Sequence, residues 1–434
     1  MKKIDFIWLI EHISRELDVA AAVKILLKNK FAKTVEILPL NATSDFLKYE
    51  PLVVLLPYCY SIKDNAVKEC LKVWPHALYI NLSWEQIFYK ANLEYKAPRD
   101  TFAKKFVLHH SWSNARKQFL IEKRVPHKNV FVNGNPAYAL YIDPYKRIFP
   151  DKAAISKKLS LNKYKKWLFF PENYSWYFYS KENINEIIKS GQDQDVIHIM
   201  RGYCKKAFSK ACQWLNTIVD ECGQDFEVIL RPRPAFSLTY FKTRLNKLFP
   251  GFSPKIHIIK DYSVREWILT SDIVVSSFST SLIEAAIAGK PIAMLAPLKI
   301  PQELTAPWYK LTPKIASIEQ FIQFLKKNPS DNSSLALRQF AKKEFLGKSD
   351  PIEGLVNFLG NLNKRSFSYI DDSEKAKLIS ELKKTKFNEK VKNALGKIKR
   401  KITDRNSYFS NDDQTKYYSE IENKINIFNN FFKK

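Results

Sequence analysis

The sequence offers no cysteine pairing pattern. Its five cysteines, Cys59, Cys70, Cys204, Cys212 and Cys222, are odd in number, lie far apart, and show neither CxxC spacing nor a histidine partner pattern. That excludes a disulfide framework and a zinc site of ordinary spacing, and predicts reduced thiols in a cytoplasmic protein. No stretch approaches the ~20 apolar residues that a bilayer-spanning helix needs, so any membrane contact is expected to be peripheral, at the inner membrane face. Residues 6–10 form an apolar run, but Glu11 and His12 end it too early for a signal-peptide core. Acidic residues are scarce: 44 Asp and Glu stand against 71 Lys and Arg, a formal net charge of +27. Such a field suits phosphates, nucleic acid or an anionic membrane face and does not choose among them.

What is present is a chain of 434 residues, 45% apolar, too long for one comfortable core and too apolar for disorder. Two α/β domains and an appendage are the expectation. Short apolar strands are predicted at residues 6–10, 34–38, 52–56, 77–80, 106–109 and 130–132, with a helix over 14–28 that spaces Leu17, Ala20, Val23 and Leu27 on one face. Asn133-Gly134-Asn135-Pro136 supplies a sharp turn. A second series has strands at 167–170, 196–200, 227–231, 256–259, 272–276 and 291–295, with helices over 207–222, 263–270 and 280–288. Strands alternating with helices imply α/β domains with parallel sheets covered on both faces. The domains are expected at 1–155 and 156–360, followed by a basic helical tail at 361–434.

The most informative segment is SDIVVSSFSTSLIEAAIAGKP (271–291). A strand runs into Ser276, Ser277, Ser279 and Thr280 and then into a helix that starts near Ser281, where free backbone N–H groups and hydroxyls can receive a nucleotide phosphate. Glu284, acceptor-only when ionised, can bind ribose hydroxyls. The plainer reading is that the serines cap a helix and Glu284 complements its dipole. Arg231-Pro232-Arg233-Pro234 ends another strand, where open α/β sheets place ligands, and two guanidiniums there can fork onto phosphate oxygens. Its plainer reading is a surface turn with solvated arginines.

A strand ending in a basic turn, followed by a hydroxyl-rich loop before the helix IEAAIAGKP (283–291), resembles the donor half of GT-B glycosyltransferases of bacterial capsule and lipopolysaccharide assembly. Within that group the double-serine loop resembles those of polysialyltransferases, Kdo transferases and CDP-polyol phosphotransferases, which use cytidine nucleotides. Where those enzymes carry His-Pro, this chain has Arg233-Pro234. The first half resembles a group of surface carbohydrate biosynthesis proteins through IEHISRELD (10–18), LPYCYS (56–61), NLSWEQIFYKAN (81–92), KAPRD (96–100) and VNGNPAYALY (132–141). The resemblance implies two Rossmann-like domains facing a cleft, the second holding a nucleotide sugar such as CMP-Kdo and the first an oligosaccharide or lipid-linked acceptor. It also implies chemistry without a cofactor or bound metal, basic side chains balancing the leaving phosphate.

Read from the residues, Glu11 and His12 follow the first strand and should face the cleft, where a carboxylate or imidazole can take a proton from an attacking hydroxyl. Glu11 is the first choice for that base and His12 the second, against the reading of a capping Glu beside a solvated or core His. Asn81, Trp84, Glu85 and Gln86 follow another strand and combine a ring face for a sugar with polar groups for hydroxyls. Lys96 and Arg99 suit an acidic acceptor, and Asn133 and Asn135 a sugar or phosphate at the turn. Residues 381–401 hold nine Lys or Arg against two Glu, with apolar residues interleaved. They predict contact with an anionic membrane surface or, more simply, a solvated helix. A nucleotide-sugar 2-epimerase is the rival enzyme. A nucleic-acid-binding protein ranks below both, since the charge is spread and no such motif occurs, so no nucleic-acid partner is expected.

Overall fold

A computed structural model describes residues 1–189, 191–233, 236–327, 329–347, 349–362, 371–384 and 417–433. The first sheet contains β1 (Lys2–Ile10), β2 (Val35–Pro39), β3 (Tyr49–Leu56), β4 (Leu78–Asn81), β5 (Val107–Ser111) and β6 (Val130–Val132), in the order β2-β1-β3-β4-β5-β6. The second contains β7 (Lys166–Pro171), β8 (Phe226–Arg231), β9 (His257–Ile258), β10 (Ile273–Ser276), β11 (Ile292–Leu295) and β12 (Lys314–Ile315), in the order β12-β11-β10-β7-β8-β9. Each strand pairs in parallel with its neighbours.

The two-residue period of the strands explains the layering. Phe6, Trp8 and Ile10 of β1, with Val53 and Leu55 of β3, enter the larger core, whereas Ile7 and Leu9, with Val54 and Leu56, enter a second core on the opposite face. A strand that must be apolar on both sides reads as a continuous apolar run, as these do.

The strand expected at 196–200 is a correction. Those residues lie inside a 29-residue helix, Gln194–Cys222, whose N-cap Asp193 accepts from the backbone N–H groups of Asp195 and Val196. Ile197, Met200, Cys204, Phe208, Ala211 and Leu215 are all buried along it, at helical spacing. The turn at Gly134 is as expected: its φ is +78°, and an added Cβ would lie 2.9 Å from the Phe345 carbonyl oxygen.

Both sheets reverse their winding order once. The first does so at β1, with β2 on one side and β3 on the other; the second does so at β7, between β8 and β10. Open parallel sheets form a crevice outside the carboxyl ends of such strands. Late in the chain, the helix Pro351–Gly360 returns to the first sheet, where Asn133 Nδ2 donates to the Pro351 carbonyl at 2.7 Å. The helix Tyr417–Phe432 packs along the first helix, Ile13–Phe31, and the Tyr417 hydroxyl donates to the Glu11 carbonyl at 2.7 Å. Of the basic segment 381–401, residues 385–401 lie outside the described residues. Among the described residues no helix is long and apolar enough to cross a membrane.

Candidate functional site

A cleft of about 480 Å³ lies where the carboxyl ends of the two sheets meet. From the first sheet's side it is lined by His12, Trp84, Glu85, Gln86, Lys96 and Asn135. From the second come Arg231, Arg233, Ser279, Thr280, Ser281 and Glu284. The parallel strands bring most of these together because they stand at a strand's carboxyl end or in the turn or helix start after it, while Lys96 reaches in from the loop beyond the turn Lys90–Asn92.

The first-domain wall is a charge network built on Arg15, in the first turn of the helix Ile13–Phe31. Its guanidinium reaches Glu16 at 2.7 Å, Glu85 at 3.0 Å and Glu11 at 3.1 Å. Lys96 meets Glu85 at 2.8 Å, and its ammonium lies over the Tyr60 ring. Burial works to raise the Glu85 carboxyl, but Lys96 and Arg15 overcome it and hold the group well below the usual carboxylate range. The Glu16 side chain is wholly buried, and there burial prevails over Arg15, pushing the carboxyl up to about 7. Glu11 is also raised, chiefly by burial. His12 has a side chain 38% exposed, with Nε2 3.8 Å from Glu11 Oε2.

On the second-domain wall Ser279 Oγ lies 3.1 Å from Ser281 Oγ and accepts from the Ser281 backbone N–H at 3.3 Å, while Thr280 makes no side-chain cap to the seven-residue helix Ser281–Ile287. Hydroxyls, rather than a long helix dipole, are what this edge offers. Arg233 is half-buried two residues beyond β8, and its charge acts on Glu85 across the cleft and on Glu172 within its own domain. Its neighbour Pro234 lies outside the described residues.

Several expected ligands that line the cleft also brace the fold. The Arg231 guanidinium, 4% exposed, donates through Nε and Nη2 to the Tyr262 carbonyl at 3.0 and 2.9 Å, so it holds a turn whose Tyr262 has φ +60°. Glu284 accepts the hydroxyl hydrogen of Tyr141 from the first domain, although it still borders the cleft. Gln86 donates to the His110 carbonyl and accepts from the Trp112 backbone, and Asn135 caps the short helix Pro136–Ala139. Six residues expected in the site do not line the cleft. Ser276 donates to the Pro171 carbonyl at 2.6 Å, Ser277 is buried, and Glu11 turns to Arg15. Asn81 bridges the Cys59 carbonyl and the Ser83 N–H, Asn133 binds Pro351, and exposed Arg99 pairs with Asp64 at 3.3 Å.

The sequence reading missed Arg15, Glu172 and the ring pair Trp308 and Tyr309, all lining the cleft. Arg15 stands four positions after Glu11 at a helix start, a spacing that places the two side chains together. Glu172 directly follows β7, and that position was the available signal. Its side chain is 3% exposed and burial pushes the carboxyl up to about 7 against the pull of Arg233. Trp308 and Tyr309 belong to a short 3₁₀ turn without a periodic pattern.

No family model and no curated protein matches the sequence. Among solved structures the chain is similar to the wall teichoic acid polymerase TagF soaked with CDPG, at 12% identity over 87% of this chain and 89% of that one, with a TM-score of 0.51. It is also similar to S. aureus MnaA with UDP, at 13% identity over 83% and 96% of the two chains, TM-score 0.49. A third likeness is to UDP-GlcNAc 2-epimerase from Neisseria meningitidis bound to UDP-GlcNAc, at 13% identity over 82% and 98%, TM-score 0.47. Identity this low speaks for fold and not for reaction. The likeness to TagF, together with two parallel six-stranded sheets facing one cleft, gives the chain the GT-B fold.

Proposed function

We propose that the chain is a glycosyltransferase that moves a sugar from a nucleotide-activated donor to a growing surface glycan. The observation that carries this reading is the division of the cleft. Its second-domain wall offers Arg233 with the hydroxyls of Ser279, Thr280 and Ser281, while its first-domain wall offers indole and polar groups around Trp84, Glu85 and Lys96. Cation and hydroxyls suit a leaving nucleotide phosphate, which gains charge as the glycosyl bond breaks. Trp84 stacks near Trp8 and lines the cleft, where its indole can meet a sugar ring. His12, opening to the cleft beside Glu11, accepts the proton of the attacking acceptor hydroxyl. In this reading the donor nucleotide is a cytidine nucleotide, the acceptor is an oligosaccharide or lipid-linked glycan, and basic side chains do the work of a metal. Membrane attachment would come from residues 381–401.

The test follows a nucleotide sugar with and without a glycan acceptor. Transfer releases free nucleotide only when the acceptor is present. Interconversion of the sugar with no acceptor and no net release favours the 2-epimerase reading. Release of a nucleoside monophosphate from a CDP-polyol favours a polyol phosphotransferase.

A further inference from the structure

Glu172 sits at the point where the second sheet reverses its order, immediately past β7 and in the wall of the cleft. Its side chain is 3% exposed. One oxygen accepts from the Tyr174 backbone N–H and the Arg233 backbone N–H also faces the carboxylate, but Oε2 meets no donor at hydrogen-bond geometry. An ionised carboxylate buried with a bare oxygen is costly, whereas a protonated one carries no net charge to solvate. Among the described residues the charge that acts on it is that of Arg233, from the turn after β8. The other titratable groups facing it are Tyr174 on its own loop and Cys204 and Cys212 on the helix Gln194–Cys222, all pushed up by burial and therefore neutral.

We infer that Glu172 is a positioning residue of the nucleotide site, whose proton decides whether the Arg233 guanidinium is given to the ligand's phosphates or balanced by a carboxylate of its own domain. The inference rests on the reading of the cleft as a nucleotide site. While Glu172 is neutral it draws on none of the Arg233 charge, which then acts only on Glu85 across the cleft and on the ligand's phosphate oxygens. Once ionised, Glu172 competes for that charge and repels the ligand. The ligand therefore prefers the protonated form and by linkage strengthens its hold on the proton. Burial places this exchange near neutral pH, with the carboxyl pushed up to about 7.

The probes are CMP-N-acetylneuraminic acid, CDP-glycerol and UDP-N-acetylglucosamine, whose phosphates are diesters and do not titrate between pH 6 and 8. Calorimetry on the full chain is expected to show the Kd of the bound probe rising about tenfold over that range, with proton uptake visible in buffers of different ionisation enthalpy. Glu172→Gln keeps the shape and should flatten the slope. Arg233→Gln, which removes the group through which the coupling passes, should flatten it too and weaken binding at pH 6. A slope that persists in both variants overturns the inference while leaving nucleotide binding intact. Failure of all three probes to bind the parent at pH 6 overturns the nucleotide reading and the inference together.

Discussion

Asp18, on the helix Ile13–Phe31, and Arg265, on the second-domain helix Val264–Thr270, form an ion pair in which each side chain is 4% exposed. Lys424, from the helix Tyr417–Phe432, joins the same carboxylate at 2.8 Å. Three distant parts of the chain thus meet at one buried charge. Asp18→Ala leaves two cations without it and should cost about 3–5 kcal/mol, read as a lower urea midpoint. An unchanged midpoint contradicts the account. Burial works to raise Asp18, but Lys424 and Arg265 lower it overall. Its contribution is therefore present above its unfolded value near pH 4 and lost as pH falls through the folded value.

The two arginines of the RPRP turn should part company. Arg231→Ala uncovers the Tyr262 carbonyl and should lower stability by ~1.5–3 kcal/mol. Arg233→Ala should leave the melting temperature of the free protein within a few degrees and weaken nucleotide binding about tenfold or more. Equal effects of the two on both measurements would show that the structure has not separated their roles.

The strands were legible because burial on both faces writes a continuous apolar run, and residues 167–170 and 273–276 fall in β7 and β10. The exception, 196–200, reads as a strand because VIHIM is an apolar, partly β-branched run; only the longer window through Leu215 reveals the helical period, and Asp193 its cap. In the site, strand ends could be read and partners could not. Ser276 has the right position, yet its hydroxyl is taken by Pro171, 105 residues earlier. Glu284 finds Tyr141 143 residues away. Periodicity carries no information about such pairs, so exposed hydroxyls and structural ones look alike in the sequence.

His12→Ala should reduce transfer by roughly 10²-fold or more with nucleotide affinity unchanged, as expected for a proton acceptor that touches only the reacting hydroxyl. Glu11→Gln, whose carboxylate is engaged by Arg15, should reduce it less. A His12→Ala enzyme turning over at the parental rate removes His12 from the chemistry.

Burial depresses His109 and His110 to about 4, each helped only partly by a backbone partner. Unfolded, both bind protons near pH 6.5, so their contribution is lost as pH falls from 6.5 toward 4. Buried Glu16 and Glu172, raised to about 7, titrate in the opposite sense, so the measurement compares variant with parent. His110 stacks on Phe131, and His110→Phe keeps that contact's shape. Its stability relative to the parent should improve by up to ~3 kcal/mol between pH 6.5 and 4. A pH-independent difference would mean that His110 is not held neutral by the fold.

The central claim is that the cleft binds a nucleotide through its second-domain wall. Melting the full chain with saturating CMP, CDP, UDP and GDP in turn tests it most directly, since a ligand at 100 times its Kd stabilises the native state by about 2.7 kcal/mol. The account predicts a rise of several degrees with one preferred nucleotide, cytidine-based by the reading above, and loss of most of that rise in Arg233→Ala and in Ser279→Ala/Thr280→Ala. No shift with any of the four, or a shift that survives undiminished in these variants, would contradict it.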